Sequence, residues 1–364
     1  LEKILLIRNL TSWKLFILIV FISFLLTFLV GQVAAVIFVT SLVFEICGFF
    51  GINPLPFIMI TLMSVNIGSA GSLLGSPAGI LLATGVGLRF EDFLIWSFPV
   101  ALSSLLAGSL FLFIWYRDEL KRTEGLIRRM KGILEDRSFR QLVNFPATRE
   151  IKEEIFLLGV VFTLLALHFQ IEEFFSLPHN TLLVAVPLIG AGIAMGWKKE
   201  EARRYIEEHV DWWTVVFFIL FFAKAGAFSY TGITSLISSF IQEQAKLHPL
   251  LLITEITWIS SFASSIMDNV VVVSILMPAI KAIANEKFLF QLVDFLWWGL
   301  FLGGCFGSIM TMIGSPANIV ALGMLEKHEK IKVGLFEWVK VGILLTLLTT
   351  SVATLELIVF SLFC

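Results

Sequence analysis

Long apolar runs separated by short charged tracts dominate the chain, a spacing that predicts membrane-crossing helices. The runs cover residues 13–30, 32–50, 54–86, 93–116, 155–174, 181–197, 212–230, 250–283, 290–324 and 335–364. One crossing of a hydrocarbon core takes about 20 residues. The stretches 13–50 and 250–283 exceed that, and each carries polar residues near its middle: Gly31 and Gln32 in one, Ser264 through Asn269 in the other. Both are expected to be re-entrant hairpins with polar tips at mid-membrane. The stretches 54–86 and 290–324 are also over-long, and each is interrupted by a glycine-rich segment ending in Gly-Ser-Pro-Ala, at 75–78 and 314–317. These are expected to be broken helices.

Composition fixes the solvent. A chain of 364 residues that is 58% hydrophobic and 15% charged, with mean hydropathy +0.93, lacks the polar surface a soluble domain must present. The bilayer is the partner this predicts. A net charge of −2, without a basic face, excludes a nucleic-acid binder. Lys and Arg gather at Lys3, Arg8 and Lys14, in 117–154, in 198–210 and in 327–334, against Arg89, Lys246, Lys281 and Lys287 in the other loops. The positive-inside rule puts the first group in the cytoplasm and the protein in the cell inner membrane, with two hairpins of opposite orientation. The mixed-charge tract 117–154 has apolar residues at helical spacing and reads as an amphipathic linker. Cys47, Cys305 and Cys364 are scattered and read as packing thiols. The chain starts at Leu1, which suggests a truncated record.

Residues 68–80 (GSAGSLLGSPAGI) and 307–319 (GSIMTMIGSPANI) are identical at seven of thirteen positions. Each turn follows a polar tip at similar spacing, so hairpin plus broken helix is the repeated unit. Gly and Pro within a span free backbone groups that hydrocarbon cannot satisfy, and such groups survive where they line a cavity or hold an ion. The second copy pairs its turn with Asp268 and Asn269, and the first with Gly31 and Gln32, so the halves are expected to be unequal in ligands. The resulting domains are 1–116, the linker 117–154, and 155–364, in which three spans precede the hairpin 250–283, the broken helix 290–324 and the last span 335–364.

Asp268 is the foremost site residue, because an intramembrane charge costs roughly 2.5–3.5 kcal/mol on insertion scales and is kept where it pairs, coordinates or carries protons. Lys224 lies mid-span and needs an acidic partner, Glu255 or Asp268, either as a structural ion pair or as a charge-coupling group. Glu45, Glu255 and Glu356 have bland readings near an interface, and His168 reads as a hydrogen-bonded helix residue. With Asn269, Ser308, Ser315 and Asn318, Asp268 makes an oxygen-rich set suited to a hard cation. Ser265 and Ser69 lie beside the tip and the turn.

Several segments resemble the ion transporter superfamily, in the branch of arsenite permeases, sodium/proton antiporters and the melanosomal P protein. They are His209 through Phe218 (HVDWWTVVFF), Met267-Asp268-Asn269-Val270 with Met277-Pro278, residues 66–80, and residues 303–326. The resemblance implies an all-α, inverted-repeat secondary transporter of the elevator type, with two re-entrant hairpins and two broken helices, working as a homodimer. It implies a site lined by Asp268, Asn269, Gly314, Ser315, Pro316 and Asn318 from one half and Asn66, Gly75, Ser76 and Pro77 from the other. It also implies spans ahead of the first hairpin, and an acidic tip and Pro-Pro-Asn turn in the first half. This chain has Gly31-Gln32 and Pro77-Ala78-Gly79 there.

The expected activity is sodium/proton antiport, with sodium at Asp268, Asn269, Ser315 and Asn318 and no other cofactor. The alternative is permeation of an anion such as arsenite or a carboxylate. An enzyme is disfavoured because no His-Glu-x-x-His, Gly-x-Ser-x-Gly or phosphate loop is present. A non-transporting scaffold is the remaining class.

Overall fold

The computed structural model describes residues 11–129, 149–178, 181–209, 249–283 and 293–363, with isolated positions between 212 and 241. Among the described residues every regular element is a helix. Helices α1 (Ser12–Val30) and α2 (Gln32–Phe50) are separated by Gly31 alone, at φ +93°, where Gly is the residue that tolerates the turn. Helices α3 (Leu55–Gly71) and α4 (Pro77–Val86) follow, then α5 (Phe90–Trp115). A π-helical turn over Phe93–Ser97 interrupts α5 just before Pro99, which has no N–H to continue the ladder.

Helix α6 (Arg117–Arg129) realises the amphipathic tract, burying Leu120, Thr123 and Ile127 while its charged side chains face outward. Its Glu124 reaches back to the start of α1, where Oε2 accepts from the Ser12 N–H at 2.7 Å. Helices α7 (Arg149–Ala166) and α8 (His168–Phe174) occupy the single span expected over 155–174, bent by 62°. His168 Nδ1 lies 2.8 Å from the Leu165 carbonyl, a side-chain intrusion into the helical ladder beside the bend. Then come α9 (Thr181–Lys198), α10 (Ala202–His209), α11 (Pro249–Ile266), α12 (Asn269–Ile283), α13 (Val293–Gly307), α14 (Pro316–Glu329) and α15 (Leu335–Phe363).

By length and apolarity α1, α2, α5, α9 and α15 can each cross a membrane, and α7 with α8 makes a sixth crossing if the bent pair is one span. Each arm of 13–50 is therefore long enough to cross alone. The helices flanking the two Gly-Ser-Pro-Ala turns, α3, α4 and α13, are shorter apolar pieces, as a broken span requires.

Helices α3 and α13 form the centre. Residues Pro56 to Gly71 are buried on every face of α3, and Asp294 is the one exposed position of α13. A helix apolar all round belongs in a core. Around them the packing is paired: α1 and α2 pack on α3 as α11 and α12 pack on α13, α5 packs on α3 as α15 packs on α13, and α2 meets α14 as α12 meets α4. Small residues let backbones touch. Gly307 lies so close to α11 that a Cβ there would overlap the Ser261 carbonyl.

Gly307→Ala is expected to push α11 off α13 and abolish the folded protein on size exclusion in detergent. Gly323→Ala, whose added carbon meets nothing within 4 Å, should elute and melt as wild type. A second expectation concerns Glu124. Burial pushes its carboxyl up, but hydrogen bonds from Ser12 and Arg128 outweigh that and hold it below the ordinary carboxylate range. The cap is thus complete at neutral pH and is lost as pH falls through the depressed value. Protection from hydrogen exchange at the start of α1, relative to the intrinsic rate, should persist through the ordinary carboxylate range at about pH 4 and fall only below it, and Glu124→Gln should weaken the pH dependence.

Candidate functional site

The two turns are built alike. Ser76 and Ser315 are extended (φ −151°, ψ 155° and φ −148°, ψ 142°), as a residue before proline prefers, and Pro77 and Pro316 open the next helices. Both serines are N-caps: Ser76 Oγ accepts from Gly79 N at 3.4 Å and Ser315 Oγ from Ala317 N at 3.2 Å. A Cβ on Gly75 would stand 2.6 Å from the Ser69 carbonyl, and one on Gly314 2.7 Å from the Ser308 carbonyl. Only glycine fits at either place. At the first break the Ala70 carbonyl accepts from Ser97 Oγ of α5 at 2.5 Å, and the Ser72 hydroxyl of the break donates to Phe28 O of α1 at 2.6 Å.

Asn66, Ser308 and Asn318 join the breaks. Asn66 Nδ2 donates to Asn318 Oδ1 at 2.9 Å and to Leu62 O at 2.8 Å, while Asn66 Oδ1 accepts from Ser308 Oγ at 2.9 Å. Asn318 Nδ2 donates to Ser308 O at 2.9 Å and Thr311 O at 3.0 Å. Both amide groups thus spend both donors and an acceptor inside the protein. Ser69 Oγ is likewise committed, donating to Asn66 O at 2.7 Å.

The segments between α1 and α2 and between α11 and α12 meet these breaks. Gln32 is buried, donates its N–H to Gly75 O at 3.1 Å and accepts from Ser315 Oγ at 3.4 Å through Oε1. It touches both turns, a role its sequence position only hinted at through a lone amide inside an apolar run. On the other side Thr311 Oγ1 donates to Ser265 O, and Ser265 Oγ donates to Phe262 O at 2.6 Å. Asp268 Oδ1 caps α12 by accepting from Val270 N at 2.8 Å.

Asp268 Oδ2, Asn269 Oδ1 and Ser264 Oγ are buried without a hydrogen-bond partner among the described residues. An uncompensated buried acceptor is costly, and a carboxylate oxygen most of all. Of the seven buried side-chain oxygens without a partner among the described residues, these three, of differing type, fall on one short segment, a chemistry suited to a hard cation.

Cys305, expected to be a packing thiol, is buried and free, and also makes a polar contact. Its sulfur accepts from Asn269 Nδ2 at 3.6 Å, so it sits where the 267–269 tip meets α13. The register that aligns the two turns pairs it with Asn66, which was the available signal. Pro77 and Pro316 serve as helix starts. Lys224 lies outside the described residues. Glu255 is half-buried on α11 with no ion-pair partner among them.

A family model described as CitMHS, citrate transporter, matches residues 3–303. The 46 kDa membrane protein of Mycobacterium leprae is 26% identical, the match covering 94% of this chain and 76% of that protein. An uncharacterized transporter of Mycobacterium tuberculosis is 26% identical over 88% of this chain and 71% of its own length. The human P protein is 20% identical over 87% of this chain and 45% of its own.

Asn66→Ala is expected to strand Ser308 Oγ and Asn318 Oδ1 and to cost about 1–3 kcal/mol, the desolvation of an orphaned polar group. Thermal melts of Asn66→Ala, Asn318→Ala and the double variant should be strongly non-additive. Additive losses would mean that the pair is not coupled.

Proposed function

The chain belongs to the citrate transporter family, and on that premise we propose that it carries a small carboxylate anion through the membrane, driven by a cation held at Asp268. The observation that carries the reading is the buried, unpartnered oxygen set of Asp268, Asn269 and Ser264. A hard cation there supplies the missing partner and neutralises a charge the membrane otherwise penalises. The anion is received where α4 and α14 begin: their N-terminal ends carry partial positive charge, and the Ser76 and Ser315 hydroxyls stand beside them. Gln32 adds an amide next to Ser315.

The family's description and the site chemistry favour a carboxylate such as citrate over arsenite. The leading sequence expectation, sodium/proton antiport, is retained as the second reading, because an unpartnered buried carboxylate can exchange a cation for a proton without any anion. An inverted repeat with two re-entrant hairpins is supported by the paired packing of α1–α5 with α11–α15 and by both tips ending against the breaks. The division at 1–116, 117–154 and 155–364 follows that pairing. Elevator motion, a homodimer, inner-membrane placement and a cytoplasmic linker complete the proposal, resting on the resemblance and on the charge distribution of the loops.

Proteoliposomes loaded with radiolabelled citrate and given an inward sodium or proton gradient test it. The expected result is gradient-dependent citrate uptake that falls to background in Asp268→Asn, with protein level and melting unchanged. Sodium-driven proton flux without any carboxylate would favour antiport. Neither flux, or undiminished uptake in Asp268→Asn, would sink the cation-coupled reading.

A further inference from the structure

A cavity of about 240 Å³ lies far from the breaks in sequence, between the start of α3, the end of α5 and the start of α15. Trp115, Tyr116 and Trp338 form its aromatic walls, and Glu337 and Lys340 stand at its edge. Its place is interfacial. Trp115 ends an apolar span and Arg117 begins the charged helix α6, the level at which aromatic residues meet lipid headgroups.

Lys332, in the segment leading into α15, is paired with Glu326 at 2.9 Å. Glu337 and Lys340, one helical turn apart, have no ion-pair partner among the described residues, not even each other. An unpaired acid and an unpaired base beside aromatic faces form a receptor for a zwitterion: carboxylate and rings for an ammonium, the lysine for a phosphate.

We infer that this cavity binds the headgroup of a zwitterionic phospholipid with a primary ammonium, phosphatidylethanolamine in chemical class. A purely anionic headgroup is opposed by Glu337, and a quaternary ammonium has no N–H to give it. The cavity's floor leads to the transport machinery. Trp338 is buried, and its Nε1 donates to the Ile309 carbonyl at 3.0 Å, immediately beside Ser308. Four residues on, a Cβ at Gly342 would stand 2.5 Å from the Met310 carbonyl, so this part of α15 lies directly on the second break. A headgroup seated against Trp338 therefore steadies the backbone at 309–310.

The test uses the full chain purified in mild detergent and supplied with phosphatidylethanolamine, phosphatidylcholine or phosphatidylglycerol. Native mass spectrometry should show ethanolamine lipid retained several-fold over the other two, with this preference lost in the Glu337→Gln/Lys340→Gln double variant. Both positions are exposed, so that variant should fold. Ethanolamine lipid should also slow hydrogen exchange at 309–311 in the wild type. Trp338→Phe should keep the lipid preference and lose that protection. Equal retention of the three lipids, preference for phosphatidylglycerol, or an unchanged preference in the double variant would overturn the site. Protection at 309–311 that survives in Trp338→Phe would overturn the coupling. None of these readouts depends on which solute is carried.

Discussion

Hydrocarbon offers no partner to a backbone amide or carbonyl, so every departure from a continuous helix inside a bilayer must be answered by another group of the protein. This chain departs at Gly31, around Asp268 and at both Gly-Ser-Pro-Ala turns, and the answers come from one another. The Gln32 amide finds the Gly75 carbonyl, the Ser265 carbonyl finds Thr311, the Ala70 carbonyl finds Ser97, and the Ile309 carbonyl finds Trp338. The interruptions gather because each is the cheapest available partner for the next. A polar centre then follows from backbone accounting before any ligand is considered.

Backbone and ligand requirements separate at this centre. Positions that shape the turns, Gly75 with Gly314, Ser76 with Ser315 and Pro77 with Pro316, are the same in both copies: a Cβ would clash at the glycines, and Ser and Pro are favoured as cap and helix start. Other aligned positions have diverged, Asn66 against Cys305 and Gly79 against Asn318. The second copy holds an unpartnered carboxylate oxygen at Asp268, and the first contributes Asn66 to a closed amide network.

The apolar runs and Gly-Ser-Pro-Ala turns were legible in the sequence because period, length and proline chemistry are local properties. The boundaries at residues 30, 32, 50 and 86 emerge as read. Contacts between distant residues were not legible. Asn66 and Asn318 are 252 positions apart, and nothing local says that two amides read as ion ligands satisfy each other. The cap from Glu124 to Ser12 depends in the same way on where a side chain's partner lies in space. The contact of Cys305 with Asn269, 36 positions away, likewise has no local signal.

The Asn66–Asn318 pair also decides which forces can open the centre. Two neutral amides carry no net charge, so a voltage across the membrane does no first-order work on their separation, and added salt screens nothing between them. A carboxylate and a lysine in the same place would have made a clasp tuned by membrane potential. An amide clasp has no such bias. Separating the two side chains would require equivalent hydrogen bonds for both, a demand set by chemistry and not by the electrical state of the cell.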